Sequence, residues 1–483
     1  GVIECAEVAD CCTCERVECN ECQEVRCAGE RSCNGIPIVV NGQSGGAMVS
    51  CGFERSCDRA DITGNNIVMV NCVGTRACHA TRMVLNSVIA PGLSGLSIGC
   101  DSTEACDDAI IAASNVEVIS CGASRSCSDS LINAEGISTG MTFDCTGSQS
   151  CRDSEIQLTN VFMWSCGAEF SCFGSNITVN CLNEGTGGCT LDCSGTQACR
   201  DSVLTVTNVE TITCGNSGAC FTSELNIQCI SQGCLITCNG NEACRNSEFI
   251  VSNSAGLVCM GSFVCSGSRF ILSDNSNNAL SCNGQSACLD AIITNLTNIN
   301  SFECSGFNAC RNSRIVSTCD QELGCRLQFF GPDAGFDANV ISTNIQEVSC
   351  EDDRACGRII LNITPLNNFF IINCLTPLTC IDARIQTVIT DLSITSVQGP
   401  RCGATEACLR TNFIFDGSNL LNELIIEQII CEGIRACKNT QFTLINAQIS
   451  ASNIICNGLG SCDDIIKITC ISNNGTISDN CVL

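Results

Sequence analysis

The sequence is organised around one short motif, two cysteines separated by five residues, which occurs nineteen times between Cys27 and Cys462. The motif begins at Cys27, Cys51, Cys72, Cys100, Cys121, Cys145, Cys166, Cys193, Cys214, Cys238, Cys259, Cys282, Cys304, Cys319, Cys350, Cys374, Cys402, Cys431 and Cys456. Its usual form is C-x-G-x-x-[AS]-C, and successive copies mostly begin 21 to 29 residues apart once Cys319 is left out. Self-similarity at a short, regular period is typical of repeat proteins, in which each unit packs on its neighbours.

The segments between the motifs have the two-residue periodicity of β-strands. Ile156 and Leu158 alternate with polar residues, and the same offsets hold Leu204 and Val206, Phe249 and Val251, and Phe442 and Leu444. Alternation of this kind predicts half-buried strands whose apolar side chains point inward. The glycine at the third position of the motif is expected to allow a tight corner with an unusual φ.

These patterns predict an all-β fold, a right-handed parallel β-helix (β-solenoid) of about 19–20 disulfide-stapled coils. We expect the repeat array to span residues 27–462, after a Cys-dense acidic cap or junction at 1–26 and before a coil and tail at 463–483. A row of small disulfide knots is the alternative fold, although the near-uniform spacing and only six prolines argue against it.

An asparagine six residues before the motif recurs in every second coil, so the full repeat is two coils. It stands at Asn66, Asn115, Asn160, Asn208, Asn253, Asn298 and Asn344. We interpret it as a corner residue whose amide binds the backbone of a neighbouring coil, and an exposed turn residue is the alternative.

The 50 cysteines, about one residue in ten, indicate a disulfide scaffold in an oxidising compartment. No motif has lost one of its two cysteines, and the extra cysteines come as close pairs, so local pairing is favoured over bonds between coils. The expected pairs up to residue 244 are Cys27 with Cys33, Cys51 with Cys57, Cys72 with Cys78, Cys100 with Cys106, Cys121 with Cys127, Cys145 with Cys151, Cys166 with Cys172, Cys181 with Cys189, Cys193 with Cys199, Cys214 with Cys220, Cys229 with Cys234, and Cys238 with Cys244.

Cysteines are also concentrated in the N-terminal segment, where Cys11 and Cys14, and Cys19 and Cys22, form two C-x2-C pairs. The two pairs are separated by only four residues, which is short for a zinc site. Disulfides are therefore the favoured interpretation, and no metal is predicted.

The net charge of −27 disfavours nucleic acids and anionic membrane surfaces as partners. No apolar run reaches the roughly 18 residues of a membrane span. The chain starts at Gly1, which suggests a removed signal peptide or excision from a longer precursor.

Residues for catalysis are scarce. His79 is the only histidine and Trp164 the only tryptophan, and there is no tyrosine, so a surface role is expected for His79 and sugar-stacking platforms are lacking. The pairs Asp107/Asp108, Asp352/Asp353 and Asp463/Asp464 suggest solvated corners, with calcium as the alternative. We expect no enzymatic activity and no cofactor.

Four N-x-[ST] sequons are candidate glycosylation sites: Asn176, Asn295, Asn362 and Asn474. The strand alternation predicts that Asn176 and Asn362 face outward, as a glycan requires, while the facing of Asn295 stays open.

The extended string C-x-G-x-x-[AS]-C-x-[DN]-[SA]-x-I, as in CTGSQSCRDSEI and CNGNEACRNSEF, resembles Cys-rich repeats of protist surface and flagellar-hair (mastigoneme-like) proteins. The resemblance implies a secreted structural glycoprotein of a cell surface or appendage that can polymerise.

The function expected from the sequence is an extracellular structural subunit of a fibre that assembles end to end with itself or with other surface glycoproteins. A cell-surface adhesion or binding module is the alternative, and a polysaccharide-active β-helix enzyme is a further one.

Overall fold

The structure is a computed structural model that describes residues 2–5, 15–87, 94–182, 188–273, 278–320, 324–366, 370–420, 423–449, 453–463 and 467–471. In these ranges the chain forms β-strands and turns, and it contains no helix that could cross a membrane. It divides into two compact units, an N-terminal unit, Gly1–Glu248, and a C-terminal unit, Phe249–Leu483. The domain boundaries expected near residues 26 and 462 stay predictions.

The N-terminal unit contains strands β1 to β18. They are β1 Val2–Cys5, β2 Val17–Cys22, β3 Glu24–Cys27, β4 Pro37–Gly42, β5 Ala47–Cys51, β6 Asp61–Asn65, β7 Ile67–Cys72, β8 Arg82–Asn86, β9 Leu96–Gly99, β10 Ile110–Ser120, β11 Leu131–Gly136, β12 Met141–Asp144, β13 Glu155–Ser165, β14 Asn176–Cys181, β15 Cys189–Asp192, β16 Val203–Cys214, β17 Glu224–Cys229 and β18 Cys234–Asn239.

Strands β19 to β38 follow, of which β19 begins at the last residue of the N-terminal unit. They are β19 Glu248–Ser252, β20 Ser254–Met260, β21 Arg269–Ser273, β22 Asn278–Asn283, β23 Ile292–Ser305, β24 Arg314–Cys319, β25 Cys325–Phe330, β26 Asn339–Glu351, β27 Ile360–Pro365, β28 Ile371–Cys374, β29 Arg384–Val388, β30 Ser396–Val397, β31 Pro400–Cys402, β32 Asn412–Asp416, β33 Leu424–Ile426, β34 Ile429–Glu432, β35 Gln441–Ile445, β36 Ala447–Ile449, β37 Ile454–Asn457 and β38 Lys467–Ile471.

Each regular coil has two strands and one turn. The strand after the cysteine turn pairs in parallel with its counterparts in neighbouring coils to form the post-turn sheet, as in the register Ile132 to Ile156 to Ile177. The strand before the turn forms the pre-turn sheet in the same way, as in Val25 to Val49 to Val70. The predicted parallel β-solenoid is confirmed, with about 18 turns in the two units together.

Apolar side chains of the two sheets fill the interior of each unit. Ile156, Leu158, Leu204 and Val206 of the N-terminal unit are at most 1% exposed, which confirms the predicted inward register. Phe249 and Val251 of the C-terminal unit are equally buried, and the rings of Phe249 and Phe270 stack 4.8 Å apart. The alternation in the sequence therefore identifies the core correctly.

The third side of the coil is the cysteine turn, whose copies stack into what we call the turn ladder. Its fifth, seventh and ninth residues take left-handed φ, as at Arg55, Cys57 and Arg59 with φ of 55, 55 and 56°. Arg55 and Arg59 donate backbone N–H groups to carbonyls of the following coil, and Cys57 between them donates to Ser32 of the preceding coil. The turn backbone is thus hydrogen-bonded to both the preceding and the following coil, as a central strand of a sheet is to its two neighbours.

The unusual φ expected for the motif glycine is found at Gly240, Gly261, Gly284, Gly306, Gly433 and Gly458, but not in every coil. Gly284 does take a φ of 139°, but Gly147 at the same motif position lies outside the left-handed region. A Cβ at Gly147 would lie only 1.9 Å from the carbonyl oxygen of Ala123 in the preceding coil. Close approach of neighbouring coils, rather than a special φ, is the common requirement at this position.

Serines after the turn add a buried ladder of their own. Ser154 donates its hydroxyl to the carbonyl of Cys127 at 2.8 Å, and Ser175 donates to that of Cys151 at 2.6 Å. This contact explains the [SA] position of the extended motif, because a small side chain fits there and a hydroxyl satisfies a buried carbonyl.

The two ends of the array differ from the regular coils. Strand β1 pairs in parallel with β3, and β2 with β4, so coil stacking extends into the segment expected to be a cap. In the C-terminal unit, β30, β33 and β36 form a separate parallel three-stranded sheet. This extra strand in each coil accounts for the longer coils of that region.

Candidate binding groove

Among the described residues the structure contains 22 disulfides, all between cysteines of the same coil. They include every pair named above up to Cys244. Cys19 bonds to Cys22, whereas Cys11, Cys12 and Cys14 lie outside the described residues.

One C-x5-C motif does not lie in the turn ladder. Cys319 and Cys325 form a bridge between the end of β24 and the start of β25, at the corner between the two sheets. The turn of that coil has Phe329 in register with Cys304 and Cys350 of its neighbours, and Gly335 at the place of the second cysteine. A Cβ on Gly335 would lie 2.5 Å from the Phe329 ring, so the phenyl group fills the space of a disulfide.

The recurrent asparagines lie at the corner between the post-turn and pre-turn sheets, and all seven take left-handed φ of 52 to 61°. The amide of Asn160 donates to the carbonyl of Gly136 at 3.4 Å, and that of Asn344 donates to the carbonyl of Cys319 at 3.2 Å. Asn66 and Asn115 bind the preceding coil in the same way. Asn446 makes this contact too, but its different distance from the next cysteine hid it in the sequence.

Charged side chains are stacked at the position directly after the second cysteine of the turn. His79 is about a quarter exposed, with Nδ1 3.0 Å from Asp58 and Nε2 3.6 Å from Asp108. Asp107 is 8% exposed, and its Oδ1 has no hydrogen-bond partner. Burial, with the nearby charge of Asp108, raises the pKa of Asp107 to about 6.

Further along the N-terminal unit the same position alternates between arginine and phenylalanine. The guanidinium of Arg200 lies 6.0 Å from the ring of Phe173 and 4.9 Å from that of Phe221. Arg152 and Arg245 contact the outer faces of these two rings. This cation–π stack joins successive coils on the outside of the turn ladder.

An open groove of about 520 Å³ lies on the outer surface of the post-turn sheet of the N-terminal unit. It crosses five adjacent strands, β4, β6, β8, β10 and β11. Two in-register columns line it, one formed by Asn41, Asn65, Asn86, Ser114 and Glu135, and the other by Val39, Thr63, Val84, Ala112 and Asn133. The volume falls in the range of small-molecule and oligomer sites, which makes the groove the candidate functional site.

The first column is partly a hydrogen-bonded ladder. Asn41 donates to the side-chain oxygen of Asn20 at 2.9 Å, and Asn65 donates to that of Asn41 at 3.3 Å. Further along, Ser114 donates to the side-chain oxygen of Asn86 at 2.7 Å. The ladder is interrupted between Asn65 and Asn86, whose side chains share the centre of the groove.

No protein-family model, no curated protein and no solved structure matches this chain. The function must therefore be argued from the disulfides, the coil edges and the groove.

The sequons lie on the outer surface where the structure describes them. Asn176 and Asn295 are exposed and Asn362 is half-buried, while Asn474 lies outside the described residues. Their glycosylation stays a prediction. The groove was missed in the sequence, and its only signal was the asparagine that precedes the corner in four successive coils, Asn20, Asn41, Asn65 and Asn86.

Proposed function

We infer that the chain is an extracellular structural or binding protein, because it is a disulfide-rich solenoid and its many disulfides indicate an oxidising environment. We propose that the chain is a non-enzymatic structural subunit of a fibre or cell-surface appendage, of the kind found in mastigoneme-like proteins, which assembles end to end with further copies.

The observation that supports this proposal is the pairing of the last described strands. Strands β37 and β38 each pair with one strand of the preceding coil, β34 and β35 respectively, and with no other strand in the described part of the chain. A strand edge of this kind offers a row of backbone N–H and C=O groups to another chain. A copy whose first coil pairs there would extend the same parallel register by a heterologous contact.

Light scattering tests the proposal. On size-exclusion chromatography of the oxidised protein from low to high micromolar concentration, we expect the molar mass to rise with concentration. The double variant Thr469→Lys/Ile471→Lys places charge on the edge strand β38 and should shift the protein to monomer. Thr443→Lys/Ile445→Lys changes the register-matched residues one coil earlier and should assemble as the unchanged protein does.

A sharp monomer peak at every concentration would contradict end-to-end assembly.

The groove favours a second candidate, a binding module displayed on a cell surface, because a recess lined by in-register polar side chains serves no evident purpose in a purely structural coil. Such a module would stay monomeric in the same experiment.

A further inference from the structure

We propose that the groove on the post-turn sheet, between Val39 and Glu135, is a binding site for an extended, neutral carbohydrate chain that lies across the strands. This inference is independent of end-to-end assembly. It rests on the hydrogen-bonding capacity of the lining, on the charge of the lining, and on its repeat along the sheet.

The lining side chains have unused donors and acceptors at the centre of the groove. A carboxamide has two N–H donors and an oxygen with two lone pairs. Asn65 donates once to Asn41, and Asn86 accepts once from Ser114. The side-chain oxygen of Asn65 and the side-chain nitrogen of Asn86 have no protein partner in the described structure. A sugar hydroxyl both donates and accepts hydrogen bonds, so one hydroxyl can donate to the Asn65 oxygen and accept from the Asn86 nitrogen.

The charge of the lining selects against other ligands. Neither column contains lysine or arginine, and Glu135 is the only charged residue, so anionic chains such as nucleic acids or polyuronates are repelled. A single carboxylate is too few for a calcium site, which needs several oxygen ligands. Val39, Thr63, Val84 and Ala112 supply small apolar surfaces beside the amides, where the C–H groups of a sugar ring can pack.

The repeat of the lining matches a polymer better than a single small molecule. Successive side chains of each column are one strand apart, about 4.8 Å in a β-sheet. A chain of similar repeat length would place equivalent hydroxyls at successive strands, and five strands would contact about five units. Ala112 has too small a side chain to fill the groove, which leaves its centre open.

Titration calorimetry with four neutral hexasaccharides as probes tests the site: cellohexaose, laminarihexaose, mannohexaose and hexa-N-acetylchitohexaose, with hexagalacturonate as the anionic comparison. We expect saturable binding of at least one neutral probe and none of hexagalacturonate. Asn65→Leu and Asn86→Leu should each weaken binding at least tenfold. Ala112→Leu, which fills the groove without removing a hydrogen-bonding group, should do the same.

Asn180→Leu is the matched control, because Asn180 belongs to the same column two coils beyond Glu135 and outside the groove. It should bind as the unchanged protein does, and circular dichroism should show that all four variants are folded. Absence of binding by all four neutral probes, tighter binding of hexagalacturonate, or equal loss in Asn180→Leu would each overturn the proposal.

Discussion

Single residues of the turn ladder differ in how well their neighbours accommodate their charge. His79 contacts the carboxylates of Asp58 and Asp108, and Arg354 contacts Asp333 at 2.7 Å, so these side chains each have a polar partner in a neighbouring coil. Asp107 has a buried oxygen without a partner, and desolvation raises its pKa to about 6. The folded protein therefore favours the protonated carboxyl more than the unfolded chain does.

This raised pKa predicts a pH-dependent stability. Between the ordinary carboxyl pKa and about 6, the folded protein holds a proton on Asp107 that the unfolded chain has lost, so stability falls as pH rises through this interval. Because the site is partly solvated, we expect Asp107→Asn to raise the free energy of unfolding at neutral pH by only about 1–2 kcal/mol. Below the ordinary carboxyl pKa the difference should vanish.

Denaturant unfolding across pH measures this effect, with Asp153→Asn, an exposed aspartate of the turn ladder, as the control. If Asp107→Asn raised the free energy of unfolding by the same amount at every pH, desolvation of the carboxylate would not be the cause of the stabilisation.

At the scale of elements, the turn ladder keeps its backbone even where it lacks a disulfide. In the coil of Phe329 and Gly335, the N–H of Gly335 donates to the carbonyl of Ala309, as the N–H of Cys310 donates to that of Ala287 one coil earlier. The bridge is thus one of two ways to fill the same interior space, and the backbone hydrogen bonds do not depend on it.

Because the Phe329 side chain and a disulfide fill the same interior space, we predict that a Phe and Gly pair can replace a disulfide of the turn ladder. Cys145→Phe/Cys151→Gly copies the natural pair, and Cys145→Ala/Cys151→Gly leaves a cavity. Both should fold, and the Phe variant should be more stable by about 2–4 kcal/mol because the phenyl group restores the buried contacts. Chemical denaturation compares them, and an Ala variant at least as stable as the Phe variant would contradict the interpretation.

At the scale of the whole molecule, stability comes from contacts between successive coils, as in other repeat proteins. Each coil is held by parallel ladders on both sheets, by the buried core and by its own disulfide. A bridge that closes a loop of five residues contributes little loop-closure entropy, of the order of 2 kcal/mol. The sheets should therefore survive loss of the bridges better than the turns do.

Reduction of the disulfides followed by hydrogen exchange tests whether the sheets survive better than the turns. After treatment with a phosphine reductant, amides of the turn ladder should exchange faster, while those of strands such as β13 and β16 stay protected. Mass spectrometry of peptides from both regions would resolve the two classes. Simultaneous loss of protection in turns and strands would mean that the bridges, rather than the sheets, hold the coils.

Local patterns in the sequence determined the coil itself. Alternation at Ile156 and Leu158 places them in the core, because side chains of a strand alternate between its two faces whatever the strand packs against. The spacing of the cysteines and of the corner asparagines likewise set the period of the solenoid. These features act within one coil, so the sequence of that coil is sufficient.

Only the tertiary structure decided what neighbouring coils bring together. Asn20, Asn41 and Asn65 meet across separations of 21 and 24 residues, and Asn86 meets Ser114 across 28. Because coil length varies, such partners have no fixed offset in the sequence, and the same holds for the carboxylates around His79. The groove exists because parallel register aligns these positions strand by strand, and register is set by the stacking of whole coils.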